Sequence, residues 1–343
     1  MKKLIVENSR DLGCLFADNP LSMIGQDGAY SIPIGPGNAL WLFGDTFIGG
    51  FNEIGKRIVE KMVSNTGLIC RYRDDCSDLT NFSYLTDEQG AIRQLITFEP
   101  DEDPDKFRIW GMHGCCIKGK VYWYYTRVKL LEHGQWPFKF KMSGTGLAVA
   151  DYPALNFNRI KYKNSTIWWE KNEPCFGVAV LPDFENNIAY IYGSYLKNGR
   201  HFCALASAPV NCIDDISAYE YLVSAEPRWG RDLKKAIPVL CGMPTEMSVS
   251  YNPHLQCYLA VFSYETTGKI LGCTAPHPWG PWSEPAVLWT PRVGLRNPLV
   301  YKGPLVYAGK EHPELARENG KIIYLTCVEF EEYFSRLIEI VLQ

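Results

Sequence analysis

Two carboxylates bracket the segment QDGAYSIPIGPGNALWLFGDT at residues 26–46: Asp27 in a Gln-Asp-Gly context and Asp45 in Gly-Asp-Thr, with two apolar runs and a tight turn between them. A third acid, Glu246, stands in MPTEMSVS between an apolar flank and a strand-like run, a setting that suits glutamate poorly. Paired carboxyl groups can cleave a glycosidic bond, one protonating the leaving oxygen while the other activates water or attacks directly. In that chemistry Glu246 is the expected acid, because Met243, Pro244 and Met247 would desolvate it and raise its pKa. Asp27 is the expected base or nucleophile, held by Gln26 and Ser31, and Asp45 would orient the sugar or tune its partner's pKa. Trp41, Trp110 and Trp229 offer faces for ring stacking, while Gln26, His113, Arg228 and Arg231 offer polar contacts to substrate. Each residue also has a plainer reading. Asp before Gly forms ordinary turns, Gly-Asp-Thr can close an Asx turn, and His113 and the tryptophans can fill a core. His312 and Glu314 in HPEL read as turn caps.

Other chemistries lack their residues. The chain has no H-E-x-x-H, G-x-S-x-G or Walker loop, and IGPGN at Ile34 reads as a hairpin turn. No cofactor and no catalytic metal is expected, although a structural calcium ion held by loop carboxylates is compatible with the acids present. Lys and Arg total 35 against 38 Asp and Glu, a net charge of −3, which gives no footprint for nucleic acid or an anionic membrane. The expected partner is a carbohydrate, and the oligomeric state is left open. Of the twelve cysteines, Cys70, Cys115, Cys116, Cys203, Cys273 and Cys327 lie in apolar runs, and no C-x-x-C pair occurs. Free structural thiols and a cytoplasmic setting are therefore expected. The first residues, MKKLIVEN, lack an apolar stretch of signal-peptide length, and no segment is long and apolar enough for a membrane span.

The elements that must position these acids are strands. Short runs of β-branched and aromatic residues recur between Gly, Pro, Asn and Asp, at 39–43, 67–72, 121–127, 146–150, 188–195, 258–264 and 321–328. Residues 56–63 read as a helical turn or a loop insertion, and 130–142 as a loop. VLPDFENNIAYIYGSY from Val180, SYNPHLQCYLAVFSY from Ser250 and EHPELARENGKIIYLTC from Glu311 share one order: Pro, an acid or His, Phe or Leu, a turn, then a strand. YSIPIGPGNALWLFGD from Tyr30 and CCIKGKVYWYYTR from Cys115 are degenerate copies, and third and fourth strands tend to follow each. This predicts an all-β chain forming a single five-bladed β-propeller over residues 1–343, with four-stranded antiparallel blades starting near 24, 110, 174, 244 and 306. First strands of a propeller line its axis. The alignment puts Gln26-Asp27, Met112-His113, Phe176-Gly177, Thr245-Glu246 and Gly309-Lys310 at their leading ends, so Asp27 and Glu246 should share one cavity with His113 and Lys310 nearby.

At DGAYSIPIGPGNALWLFGDTFIG, MPTEMSVSYNP, GPWSEP and HPELARENGKIIYLT the chain resembles the domain-of-unknown-function family 4185, related to five-bladed propeller glycosidases of the arabinanase and inulinase kind. The resemblance runs over nearly the whole chain, and DGAYS…LWLFGDT carries it most specifically. Some members are endo-acting arabinanases of glycoside hydrolase family 183. It implies a glycoside hydrolase acting on an arabinan-like or related furanoside, with Asp27 as a catalytic carboxylate and Glu246 where related propellers carry their acid. IWGMHGCCIKGK departs from the family pattern in its His and Cys residues. Two competitors differ in kind. A non-catalytic carbohydrate-binding or interaction propeller would have no reason to pair acids across a cleft. A phosphorolytic enzyme would need a basic pocket, toward which only His113, Arg228 and Lys310 point.

Overall fold

The structure is a computed structural model that describes residues 4–72, 79–133, 139–243, 245–265, 267–291 and 305–343. Among these residues there is no α-helix, only short 3-10 turns between strands, and all strand pairing is antiparallel within six sheets. No helix among them is long and apolar enough to cross a membrane.

The segment bracketed by Asp27 and Asp45 opens one sheet, in which Ala29–Gly35 pairs with Asn38–Phe43, followed by Thr66–Arg71 and Phe82–Tyr84. Three further sheets begin with Phe107–Ile117, Cys175–Asp183 and Met247–Asn252, near the expected starts at 110, 174 and 244. The last meander, Val306–Glu311, Ile322–Glu329 and Ser335–Leu342, ends with three strands, and its fourth is the N-terminal strand Val6–Cys14. First strands lie beside one another in sequence order around the molecule. The circuit returns where Ser31 Oγ and His312 Nδ1 lie 2.6 Å apart and Gly28 abuts Ala308.

Residues 56–63 are neither a helical turn nor a loop. Arg57–Val63 is a strand of a three-stranded sheet with Met23–Gln26 and Thr46–Phe51. Its exposed Ile58 and Val59 gave no amphipathic pattern to read. The expected loop at 130–142 is cut short by Phe140–Asp151, and residues 134–138 lie outside the described residues.

Middle strands are buried on both faces, as in Asn38–Phe43, and this explains the aromatic content: Trp41, Trp123, Tyr124, Tyr125, Tyr192 and Tyr324 are core residues. Polar bonds cross between sheets. Glu311 Oε2 accepts from Ser250 Oγ at 2.7 Å, and its N–H donates to Ser248 Oγ at 2.7 Å. His312 Nε2 lies 2.7 Å from Thr326 Oγ1, and its ring stacks on Trp41 at 4.4 Å. Thus His312 stands at the start of the 3-10 turn Pro313–Leu315, as expected of a turn cap, but its side chain makes no cap bond and its ring is a buried link between the last sheet and the first. The described cysteines are all free, and Cys76 lies outside the described residues.

Candidate active site

Asp27 and Asp45 stand where the chain passes from one sheet into the next. Met23–Gln26 pairs with Thr46–Phe51 on one side and Ala29–Gly35 with Asn38–Phe43 on the other, and at the junction the Asp27 N–H donates to the Asp45 carbonyl at 2.9 Å. An apolar double strand therefore carries an acid at each end because those ends meet at the junction between the two sheets. Close approach sets the neighbouring glycines. A β-carbon on Gly28 would lie 2.7 Å from that of Ala308, and one on Gly44 would lie 3.0 Å from that of Asp27.

Asp27 is partly buried and rich in donors. Its Oδ1 accepts from the Tyr307 hydroxyl at 2.7 Å and from the Gly28 N–H at 2.8 Å. Burial raises its pKa above the ordinary carboxylate value, and Tyr307, Gly28, Lys310 and Tyr333 oppose that rise without cancelling it. Gln26 and Ser31, the expected holders, are engaged elsewhere. Gln26 is 2% exposed, accepts from the Tyr84 hydroxyl at 2.9 Å and donates to Thr66, so it is a core residue and no substrate contact. Ser31 belongs to the His312 link.

Glu246 has fewer donors. The Thr245 hydroxyl donates to its Oε2 at 2.5 Å. Met243 and Met247 are buried beside it in sequence, and Pro244 lies outside the described residues. Burial raises its pKa and the Asp27 charge raises it further, against the opposing pull of Lys310 and Thr245. The Asp27 charge therefore acts on Glu246, and Lys310 acts on both acids.

A β-bulge places that lysine. Tyr307 and Lys310 are three residues apart, so in a regular strand they would face opposite sides. The pairing of Val306–Glu311 with Ile322–Glu329 slips between them, Ala308 adopts φ 58°, and both side chains reach the acids. The same slip recurs at Met112-His113, an expected leading pair, and at Gly177-Val178, one residue from the expected Phe176-Gly177, in two other first strands. At the first of these, His113 stacks on Tyr30 at 5.5 Å and its Nδ1 accepts from the Val180 N–H at 2.9 Å. Burial drops its pKa to about 4, so the ring is neutral at pH 7.

Asp45 is more deeply buried. Burial, reinforced by the Asp27 charge, pushes its pKa up to about 8 against Arg108 and Trp110. The Trp110 indole lowers the shift without completing a hydrogen bond, since neither Trp110 Nε1 nor Asp45 Oδ1 has a full partner. Half-buried Trp110, edge-on to Phe140 at 4.8 Å, keeps a place near the acids. Because the folded pKa of Asp45 lies above its unfolded value of 3.8, the native state holds the proton more tightly, and this stabilisation is lost as pH rises toward about 8. Wild-type protein should therefore lose stability relative to Asp45→Asn by roughly 1.4 kcal/mol per pH unit over this range. Denaturant titrations at a series of pH values would show it, and parallel curves for the two proteins would refute the buried neutral carboxyl.

Besides Gln26, two expected contacts are misplaced. Trp41 has 0% exposure, is packed edge-on to Phe16 and stacked on His312, and presents no face to a sugar. Arg228 is exposed on Arg228–Gly230, the outer strand of its sheet, where Trp229 packs against Tyr190. Tyr307 and Tyr333 were not legible as site residues, because the bulge that turns Tyr307 inward leaves no mark in the hydrophobic pattern. A cavity of about 300 Å³ lined by Tyr195, Lys197, Arg200 and Phe202 does not include the acids. Among the described residues no group of three or more His, Cys, Asp or Glu is arranged to hold a metal ion.

Residues 18–339 match the family described as domain of unknown function DUF4185. No curated protein matches the chain. A solved structure from Bacteroides ovatus ATCC 8483, assigned as a hydrolase, superposes with a TM-score of 0.65 at 15% identity, covering 96% of this chain and 87% of that one. CoXyl43, a GH43 β-xylosidase/α-arabinofuranosidase from a compost microbial metagenome solved with xylotriose, gives 0.52 at 16% identity, covering 98% and 95%. The GH43_1 enzyme of Xanthomonas citri solved with xylose gives 0.50 at 16% identity, covering 94% and 89%. At these identities the likeness establishes the fold, that of the propeller glycosidases. With the family match running over nearly its whole length, the chain belongs to the DUF4185 family.

Proposed function

We propose that the protein is a glycoside hydrolase formed by a single five-bladed β-propeller, cleaving an oligo- or polysaccharide of arabinan-like or related furanoside type. The blade count is supported by the five successive first strands, with the sheet of Met23–Gln26, Thr46–Phe51 and Arg57–Val63 as an insertion in the first blade. The observation that carries the reading is the unequal setting of two buried carboxyls that share Lys310, Asp27 with several donors and Glu246 with one hydroxyl. Such a contrast is how one site assigns opposite roles to two acids.

Glu246, whose pKa burial raises against few donors, gives its proton in its acid form to the leaving glycosidic oxygen as the C–O bond breaks. Asp27, whose ionised form Tyr307 and Gly28 favour, takes the proton of the attacking water or attacks the anomeric carbon itself. Asp45, neutral at pH 7, adds no competing negative charge, and an ionised Asp27 helps keep it so. Trp110 supplies an apolar face with a polar edge for a sugar ring. The similar GH43 structures contain xylose or xylotriose, which supports a carbohydrate as the partner. A non-catalytic sugar-binding propeller remains the competing function, and turnover separates the two. Incubation with arabinan, fructan and mixed oligosaccharides should release new reducing ends from at least one of them, and release from none would remove the hydrolase reading.

A further inference from the structure

Lys310 stands among the acids of the proposed site without being bonded to any of them. It is 1% exposed, and its Nζ has no hydrogen-bond partner. Nζ lies 4.0 Å from the centre of the Tyr30 ring and 3.4 Å from where a β-carbon on Gly28 would sit. The strand is pinned on both sides, since the Gly309 N–H donates to Ser263 Oγ at 2.8 Å and the Glu311 N–H to Ser248 Oγ at 2.7 Å. The orientation of Lys310 is therefore built by the bulge and its anchors. An ammonium carries three donors, and burying a charge whose donors are unused is costly. The Tyr30 face offsets part of that cost. Asp27 and Glu246 provide charge at longer range, but no acceptor at bonding distance.

The surrounding charges select what can fill those donors. Lys310 acts on both Asp27 and Glu246, Arg108 acts on Asp45 and Arg57 on Tyr333, while Asp45, His113, Tyr30, Tyr307 and Tyr333 are neutral near pH 6. An anionic ligand at the ammonium would also meet the Asp27 carboxylate, whereas a hydroxyl oxygen accepts a hydrogen bond without adding to the negative side. We propose that Lys310 is a substrate-binding residue that donates to hydroxyl oxygens of an uncharged sugar ring held between Asp27 and Glu246. The inference rests on the hydrolase reading and adds to it the recognising group and the charge class of the bound ring.

The test is calorimetric titration at pH 6 of Glu246→Gln protein, whose turnover should be about 10²–10⁴-fold slowed, with neutral arabino-, xylo- and fructo-oligosaccharides and with anionic galacturonate oligomers. A neutral oligosaccharide should bind, and adding Lys310→Met should weaken it about 10- to 100-fold, the range for hydrogen bonds from a charged donor. The melting temperature should not fall, because the lost ammonium had no hydrogen bond in the protein. Lys310→Gln serves as the second variant if the methionine protein does not fold. Unchanged neutral-sugar binding in both Lys310 variants, or preference for galacturonate, overturns the role of Lys310 even if wild-type protein cleaves glycans. Absence of binding to every oligosaccharide together with absence of cleavage overturns the hydrolase reading and this inference with it.

Discussion

Asp27→Asn and Glu246→Gln should each lower turnover about 10²–10⁴-fold, more for Asp27 if it is the nucleophile, while the protein stays folded. Both changes keep side-chain volume. The Tyr307 hydroxyl can still donate to the amide oxygen of an asparagine at 27, and the Thr245 hydroxyl to that of a glutamine at 246. The two variants should also fail differently. Loss of Glu246 removes the proton for the leaving oxygen, so an activated aryl glycoside, whose leaving group needs no proton, should recover much of its rate. Loss of Asp27 removes the base or nucleophile, and no leaving group should rescue it. Equal rescue of both variants would undo the assignment of roles. Wild-type turnover in both would undo the pair.

Glu102→Ala should cost about 3–5 kcal/mol of stability, a drop in melting temperature of about 4–7 °C for a chain this long. Glu102 is buried and accepts from Arg159 at 2.5 and 3.0 Å, from Arg127 at 3.3 Å and from the Glu99 N–H at 2.9 Å. Arg159 is itself almost wholly buried, with its guanidinium 4.7 Å from the Tyr125 ring centre and its Nε donating to the Tyr125 hydroxyl at 2.9 Å. Removing the acid strands a buried cation whose neighbours cannot neutralise it. Although burial alone would raise the pKa of Glu102, its bonds to Arg159, Glu99 and Arg127 bring it below the ordinary 4.5. The stabilisation is therefore complete above that value and is lost as pH falls through the folded pKa, so wild type and variant should converge in acid. Calorimetric melting at pH 7 and pH 3 tests both statements, and melting temperatures within a degree at pH 7 would contradict the buried network.

The recurring Pro-turn-strand unit was legible because each unit presents strongly apolar middle strands, and the starts it implied fall near Phe107, Cys175, Met247 and Val306. Asp27, Asp45 and Glu246 were legible as acids out of place beside apolar runs. Trp41, Gln26 and Arg228 were misread for a common reason: residue type says what a side chain can do, whereas its strand and face decide what it touches. A tryptophan suits a sugar platform and a propeller core equally well, and Trp41 went to the core. Arg228 lies on an outer strand that the repeat did not resolve. The N-terminal strand Val6–Cys14 completes the last sheet through pairing with residues more than three hundred positions away, beyond any local pattern. Lys310 was placed near the cavity by alignment, but its unpartnered ammonium depends on the bulge at Ala308 and Gly309, which only the backbone reveals.

Cleavage in water enriched in ¹⁸O tests the central claim most directly, with products read by mass spectrometry. Hydrolysis joins the water oxygen to the anomeric carbon freed from the glycosidic bond, so the account predicts one ¹⁸O atom at each new reducing end with wild-type protein. Almost no labelled product should form with Asp27→Asn. Cleavage without label, phosphate-dependent cleavage giving a sugar phosphate, or labelled product at the wild-type rate from Asp27→Asn would contradict it.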